Sequence, residues 1–496
     1  MTTTLVYYAV LGIYALALSY ITAYCLMQFH LLLQYRKHLK DPAAGRILRA
    51  NGHEELPFVT IQLPVYNERF VVERLIDNIL QQDYPRDRFE VHILDDSTDE
   101  TVELVRRKVE YYKRRGFQIE QIRRPSREGY KAGALRDGLQ YARGELIAIF
   151  DADFLPKPDF LRTTILHFRN PRVGVVQTRW EHLNEDYSLI TRLQAMQLNV
   201  HFTVEQQGRK SGNYLLQFNG TAGLWRRQAI EDAGGWEADT LTEDLDLSIR
   251  AQLKGWEIVY LENIASPAEL PAEMNSLKSQ QFRWMKGGAE TARKMLPAVW
   301  RSSLRFGQKV HATAHLLGST VFVFVFIVGV FSVPLLFVLA KLNLTPHFLS
   351  IFLVGLLSII AVYYVANTRV WPRNGNPYKT FLKFLFLFPL FLALSMGLSL
   401  HNTVAVVQGY LGRKSPFERT PKFNILSLSD RIHVGNYLPR HWNWTTFFEG
   451  LLTVYFLAAV FIGLSSGNTI FLVFHTLLAL GYGTIFYYTI RHLRLK

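Results

Sequence analysis

Two regimes of hydropathy alternate along the chain. Leu5–Leu33 is apolar over the thickness of a membrane and is followed at once by Arg36, Lys37 and Lys40. A secretory signal carries its positive charge ahead of a shorter apolar core, so residues 1–40 are expected to form an uncleaved transmembrane anchor. Long apolar runs return as His315–Ala340, Phe348–Val370, Phe381–Val407, Thr446–Leu464 and Asn468–Ile490, which makes residues 306–496 a region of transmembrane and interfacial helices. The stretch between, 41–305, is charged and long enough to close a core of its own. Within it Phe58–Tyr66, Phe89–Leu94 and Glu145–Phe150 read as apolar strands, and Glu68–Gln82 and Thr98–Arg115 as helices. This alternation predicts an α/β domain, a mostly parallel sheet flanked by helices, joined to an all-α membrane bundle.

Charge placement orients the bundle, because Lys and Arg in short loops mark the cytoplasmic side. Basic residues follow the first segment, recur at Arg369, Arg373 and Lys379, fill Arg413–Arg440 and close the chain at Arg491–Lys496. The loops near Leu342–Pro346 and Ser465–Asn468 carry almost none. If every late segment spanned, the basic stretch 412–440 would fall outside. Phe381–Val407, interrupted by Pro389 and basic on both flanks, is therefore expected to lie along or re-enter the cytoplasmic interface. That leaves five spans with the N-terminus outside and the C-terminus inside, and six spans as the competing count.

Composition changes this picture little. The 496 residues are 49% hydrophobic with a formal net charge of +14, and no nucleic-acid motif accompanies that charge, so no nucleic-acid partner is expected. Much of the charge faces the cytoplasm, where it suits anionic lipid headgroups and a nucleotide diphosphate. The basic run on Thr98–Arg115 reads as a solvated helix face. Cys25 is the lone cysteine, so no internal disulfide can form.

Three polar clusters follow three strands: Asn67-Glu68, Asp95-Asp96-Ser97 and Asp151-Ala-Asp153. In a parallel sheet these should converge on one edge, where ligands of such folds bind. Two carboxylates at a strand end can hold a divalent metal against a diphosphate. The absence of G-x-G-x-x-G and Walker sequences after the first strand weighs against a dinucleotide enzyme or a P-loop ATPase. Each cluster also has a plain reading, since Ser97 or Thr98 would cap a helix and Glu243 and Asp244 would favour the positive end of another.

The ordered set Asp95-Asp96, Asp151-Ala-Asp153, Phe218-Asn-Gly-Thr221, Thr242-Glu-Asp244 and Gln280-x-x-Arg283-Trp284 resembles the processive family 2 glycosyltransferases, the group of cellulose, hyaluronan and chitin synthases. Gln177-Thr-Arg-Trp180, Phe218–Arg226, Gly234-Gly-Trp236 and Ser399–Lys422 are similar to the plant cellulose-synthase-like mannan and glucan backbone synthases, and the likeness runs from Leu56 to about Phe423. The chain departs from bacterial cellulose synthase in showing no C-terminal cyclic-dinucleotide-binding domain, so that regulation is not expected.

The resemblance implies a GT-A-type fold for 41–305 and a gating loop at 412–424. It implies that Asp151 and Asp153 hold Mg2+ or Mn2+, and that Asn67, Glu68, Asp95, Asp96, Lys131, Asp151, Arg283, Thr420 and Lys422 bind the nucleotide sugar, UDP-glucose or GDP-mannose. Asp244, with Glu243 beside it, is the implied general base, and Gln280, Trp284, Phe218, Asn219, Gly220 and Thr221 the implied acceptor site. Arg283 offers a planar fork to the leaving diphosphate, and Trp284 a flat face for the terminal sugar. Polar residues in the membrane segments, such as His401, Asn402 and Gln408, are candidates to line a polymer path.

The expected function is inverting transfer of hexose into a β-1,4-linked mannan, glucomannan or glucan that crosses the membrane, with the growing β-glycan and membrane lipids as partners. A multi-pass protein of a bacterial inner membrane or an equivalent bilayer, with a cytoplasmic catalytic domain, is the expected setting. Two alternatives are transfer of one or a few sugars to diacylglycerol or ceramide, and a silent polysaccharide-export component.

Overall fold

The computed structural model describes residues 2–40, 56–344, 346–370, 376–425, 430 and 444–493. The expected domain boundary at 41, Arg373 and most of the basic stretch beyond 425 lie outside these residues. Seven strands, β1 (Val59–Val65), β2 (Phe89–Asp95), β3 (Ile119–Ile122), β4 (Leu146–Ile149), β5 (Val173–His182), β6 (Gly223–Arg226) and β7 (Glu257–Ala268), form one sheet in the order β3-β2-β1-β4-β6-β5-β7. β1 is parallel to β2 and β4, β2 to β3, and β5 to β7, while β6 runs antiparallel between β4 and β5. The central strands β2 and β4 are buried along their whole length, which is why they read as unbroken apolar runs and not as alternation.

The helices in chain order are α1 (Thr2–Leu39), α2 (Val72–Ile79), α3 (Thr101–Lys113), α4 (Tyr130–Leu139), α5 (Phe160–Thr164), α6 (Leu189–Val200), α7 (Gln206–Ser211), α8 (Arg227–Asp232), α9 (Glu243–Leu253), α10 (Met274–Arg301), α11 (Phe306–Leu316), α12 (Val321–Lys341), α13 (Leu353–Val370), α14 (Pro377–Gly397), α15 (Ser399–Tyr410), α16 (Trp444–Ser465) and α17 (Leu472–Leu493). A π-helical turn, His201–Glu205, joins α6 to α7. The predicted helix at Thr98 begins three residues later, at Thr101. Ser97 and Thr98 are withheld from it because they bond Asn67 across the sheet edge: Ser97 Oγ accepts from the Asn67 N–H at 2.9 Å, and the Thr98 N–H donates to Asn67 Oδ1 at 2.8 Å.

Six helices among the described residues are long and apolar enough to cross a membrane, α14 among them, so the chain is multi-pass in character. The apolar run at Phe381–Val407 does not break at Pro389. It breaks at Leu398, between α14 and α15. There Gly397 and Gly481 let α14 and α17 approach so closely that a Cβ on either would overlap the backbone of the other helix. α10, 28 residues long, is the hinge between the two halves of the molecule: it packs on α9 and α11 on one side and on α15 and α17 on the other.

Candidate active site

The carboxyl edge of the sheet gathers the expected polar clusters. Val65 lies opposite Asp95 in the β1–β2 register, and β4 runs beside β1 before releasing Asp151 and Asp153. Not all of these groups face the same space. Asp95 is 1% exposed, and it spends Oδ1 on the Ser97 N–H (2.9 Å) and Oδ2 on Gln121 Nε2 (2.7 Å). Asn67, held at a left-handed φ of 57°, is engaged with Ser97 and Thr98. These two residues brace the edge, and their chain neighbours Glu68 and Asp96 border a cavity of about 1030 Å3. Asp96 is gripped in a two-pronged pair by Arg124, at 2.7 and 2.6 Å.

Asp151, Asp153, Lys131, Glu243, Asp244, Asn219, Gly220, Gln280, Arg283, Trp284, Thr420 and Lys422 all line that cavity. Phe218 and Thr221 stand behind its wall. Phe218 packs edge-on against Trp225, and Thr221 Oγ1 accepts from the Asp151 N–H at 2.9 Å. Lys131 Nζ donates to Asp151 Oδ1 at 2.5 Å and to the Gly220 carbonyl at 2.9 Å. Lys422 Nζ donates to Asp153 Oδ2 at 2.7 Å and to the Glu269 carbonyl at 3.0 Å. Each aspartate of the D-x-D pair thus faces an ammonium on the opposite wall. An oxygen-only pair at a strand end suits a hard divalent cation that takes its remaining ligands from phosphate and water. The residues present fit such an ion.

Among the described residues one set of three acids converges to within 4.8 Å, Glu237, Asp239 and Asp246. Lys294 Nζ already sits among them at 2.6, 2.9 and 3.1 Å. That knot ties α10 to α9 through one ammonium shared by the three acids.

The N-terminus of α9 carries Glu243 and Asp244, so the reading as a helix start and the reading as a site residue hold together. Asp244 Oδ1 accepts from the Leu245 N–H at 2.8 Å. Burial, reinforced by the charge of Glu243, pushes the Asp244 carboxyl up to about 7, and Glu243 is also raised, chiefly by burial. A carboxylate tuned near neutrality is a competent proton acceptor for a hydroxyl. Gly220, at a φ of +77°, passes so near that a Cβ there would stand 3.1 Å from Asp244 Oδ2 and 3.4 Å from Lys131 Nζ. Burial opposes the charge on Lys131, but Asp151, Glu243 and Asp244 outweigh it and hold the ammonium above its ordinary value.

The segment 412–424 closes the cavity's far side. Thr420 Oγ1 accepts from Arg283 Nη2 at 2.8 Å, Arg419 pairs with Glu68 at 3.3 Å, and the Arg283 guanidinium stacks 4.4 Å over the Phe417 ring. Burial pushes the Glu68 carboxyl up to about 8 against the pull of Arg419 and Lys422. Glu269, which anchors this segment by accepting from the Phe423 N–H at 2.9 Å, was not foreseen; the prolines at 267 and 271 that bracket it were the available signal. Arg124 was missed as well, in a basic pair before Pro125.

The cavity continues upward between α1, α12, α13 and α17, bordered there by Tyr14, Ile21, Val325, Leu356 and Phe474. Acidic edge, α10 and membrane helices thus share one space.

Comparison with known proteins bears on this geometry. Residues 57–287 match the family model described as glycosyltransferase like family 2. The chain is 45% identical over 266 residues to glucomannan 4-beta-mannosyltransferase 1 of Oryza sativa subsp. japonica, covering 52% of this chain and 51% of that protein. It is 43% identical over 266 residues to glucomannan 4-beta-mannosyltransferase 2 of Arabidopsis thaliana, covering 52% of this chain and 50% of that one. The chain therefore spans about half the length of the curated relatives it matches. In fold it resembles a mannosyltransferase from Pyrobaculum calidifontis solved in complex with GDP-Man and Mn2+, with a TM-score of 0.52, 19% identity, and coverage of 82% of this chain and all (100%) of that one. Over residues 57–287, the chain carries a domain of the glycosyltransferase-like family 2.

Proposed function

We propose that the protein is a membrane-embedded inverting hexosyltransferase that draws mannose from GDP-mannose and extends a β-1,4-linked mannan or glucomannan. The observation that carries the reading is the single cavity joining Asp151, Asp153 and Asp244 to Arg283 and Trp284 on α10 and onward to the membrane helices. The donor and linkage draw support from the names of the rice and Arabidopsis relatives, and the donor also from the nucleotide sugar bound by the Pyrobaculum enzyme. UDP-glucose is the competing donor.

Asp244 takes the proton from the acceptor hydroxyl as that oxygen bonds to the sugar's anomeric carbon and the bond to the diphosphate breaks. One displacement with one base inverts the anomeric centre, so an α-linked donor yields a β-linked product. Arg283 and Lys131 meet the charge gathering on the leaving diphosphate, and Thr420 and Lys422 bring the closing segment down on it, which excludes water. Asp151 and Asp153 would hold Mg2+ or Mn2+, which would supply charge neutralisation to the diphosphate. Trp284 stacks the terminal acceptor sugar. Glu68 and Asp96 face the donor, with Asn67 and Asp95 positioning them.

In the membrane, α14 is proposed to lie along the cytoplasmic interface, which leaves five spans. Its buried residues Phe384, Leu387, Phe388 and Phe391 form one cluster with Ile190, Leu193 and Met196 of α6 and Leu277 of α10, elements of the α/β half. The same cluster takes in Ile485 of α17, against which α14 also packs at Gly397 and Gly481. The catalytic domain is accordingly assigned to the cytoplasmic face. The curated relatives named above are plant proteins and lend no support to a bacterial inner membrane.

The apolar lining of the cavity's membrane half favours a second reading, transfer to a lipid. Purified protein given radiolabelled GDP-mannose or UDP-glucose with Mg2+ or Mn2+ decides between them. A long product cut by a β-1,4-mannanase supports the first reading. A solvent-extractable product overturns it in favour of the second, and no nucleotide release from either donor overturns both.

A further inference from the structure

The proton acceptor and the ring that holds the acceptor sugar sit on different helices, so some contact between those helices must fix the offset between them. Asp244 opens α9, whereas Arg283 and Trp284 lie on α10. Beyond Trp284, at helical spacing along one stripe of α10, come Gly287, Glu290, Thr291 and Lys294, and all four meet the chain that delivers Asp244. Gly287 touches backbone. A Cβ there would stand 2.6 Å from Thr242 Cγ2, 2.8 Å from the Thr242 nitrogen and 2.9 Å from the Leu241 carbonyl carbon. Glu290 Oε2 accepts from the Leu241 N–H at 2.8 Å, the hydroxyls of Thr291 and Thr242 lie 3.1 Å apart, and Lys294 reaches Asp246 at 3.1 Å. The helix that carries Trp284 thus grips the chain on both sides of Asp244.

These contacts differ in stiffness. A lysine or glutamate side chain follows a small displacement by rotating about its own bonds, but at Gly287 backbone lies against backbone in a close-packed interior and has no such freedom. A base must come within about 2.6–3.2 Å of the hydroxyl it deprotonates, and a misplacement of about 1 Å costs on the order of 10²-fold in rate. Water is under no such constraint, because it is not stacked on Trp284 and can follow the carboxylate wherever it stands. The offset between α9 and α10 therefore bears on transfer to a sugar and not on hydrolysis of the donor. Farther along the same helix pair, Ile249 of α9 and Val299 of α10 belong to one apolar cluster, both fully buried.

We infer that Gly287, assisted by Glu290 and Thr291, is a positioning residue that sets the distance between the Asp244 carboxylate and the hydroxyl of a sugar stacked on Trp284, a role that rests on the transferase reading. The full protein in lipid nanodiscs is given radiolabelled GDP-mannose or UDP-glucose with Mn2+ and β-1,4-mannotetraose. Sugar transferred to the oligosaccharide is measured against free sugar released by water. Gly287→Ala pushes the Leu241–Thr242 backbone away from α10 and should lower transfer on the order of 10²-fold while hydrolysis changes less than about threefold. Nucleotide affinity and the KM for mannotetraose should stay as in the wild type. Thr291→Val removes one hydroxyl contact without adding bulk and should lower transfer roughly three- to tenfold, again with hydrolysis spared. This variant decides the matter where Gly287→Ala lowers the thermal midpoint. Val299→Ala opens a cavity in the apolar contact and should lower the thermal midpoint while leaving the ratio of transfer to hydrolysis unchanged. A ratio unchanged in both Gly287→Ala and Thr291→Val, or shifted as far by Val299→Ala, overturns the positioning role and leaves the transferase reading standing. A wild type that releases no nucleotide from either donor overturns the transferase reading, and the positioning role with it.

Discussion

Asp244 gains its chemistry from its surroundings: it opens a helix, is half-buried in the cavity wall, and has a second carboxyl next to it. Asp244→Asn is expected to lower kcat by about 10²- to 10⁴-fold, the usual worth of general base catalysis, with GDP affinity retained. The acid limb of kcat/KM should fall through an apparent pKa near 7 that belongs to the Glu243–Asp244 pair. The same shift has a stability consequence. Because the folded pKa lies above the ordinary carboxylate value, the stabilisation it brings is complete at acid pH and lost as pH rises through about 7. Asp244→Asn should therefore melt at a higher temperature than the wild type at pH 8 and show a smaller gain at pH 5. Trp284→Ala should lose chain elongation while keeping donor binding and the thermal midpoint, and normal product length in that variant would remove Trp284 from the acceptor site. The types and order of these residues were legible along the chain, because motif spacing is local. Which of them face the cavity was not: Asn67, Asp95, Phe218 and Thr221 look as promising in sequence as Glu68, Asp96, Asn219 and Gly220, and only packing separates the two sets.

At the scale of elements, α10 couples the sheet domain to the bundle, and one ion pair shows how. Lys278 on α10 and Glu449 on α16 meet at 2.8 Å, with side chains 7% and 0% exposed. Removing one partner leaves a charge buried without compensation, so Lys278→Met should cost about 3–5 kcal/mol of stability, and Lys278→Met combined with Glu449→Leu should recover most of it. Thermal unfolding in detergent reads both. Equal destabilisation by the single and double changes would show that the pair is not what holds these helices together. Helix and strand positions were read within a few residues from periodicity, since each element's pattern is written in its own sequence. The late start of α3 escaped that reading because Ser97 and Thr98 are claimed by Asn67, 30 and 31 positions away. The break at Leu398 and not at Pro389 escaped it for a similar reason, since the contact between Gly397 and Gly481 is invisible to either segment alone.

The whole molecule places a diphosphate-scale acidic edge under a bundle of apolar helices, and two predictions belong to that arrangement. Chelation with EDTA should abolish transfer, and Mn2+ or Mg2+ should restore it, whereas activity that survives chelation would remove Asp151 and Asp153 from a metal role. Single cysteines placed at Asn376 and Leu411 in a Cys25→Ser background should both react with an impermeant reagent only from the cytoplasmic face if α14 lies in the interface. Opposite-face labelling would establish six spans. By itself, the order of residues determined the alternation of elements, the membrane character of both flanks, and the family of the sheet domain, because these depend on short-range pattern and motif. Tertiary structure alone decided that Lys422 meets Asp153 across 269 positions of chain, that Asp244 is raised, that Lys294 fills the acid triad and that one cavity runs from the sheet edge into the bundle. Those features follow from burial and from through-space distance, which the linear order of residues does not contain.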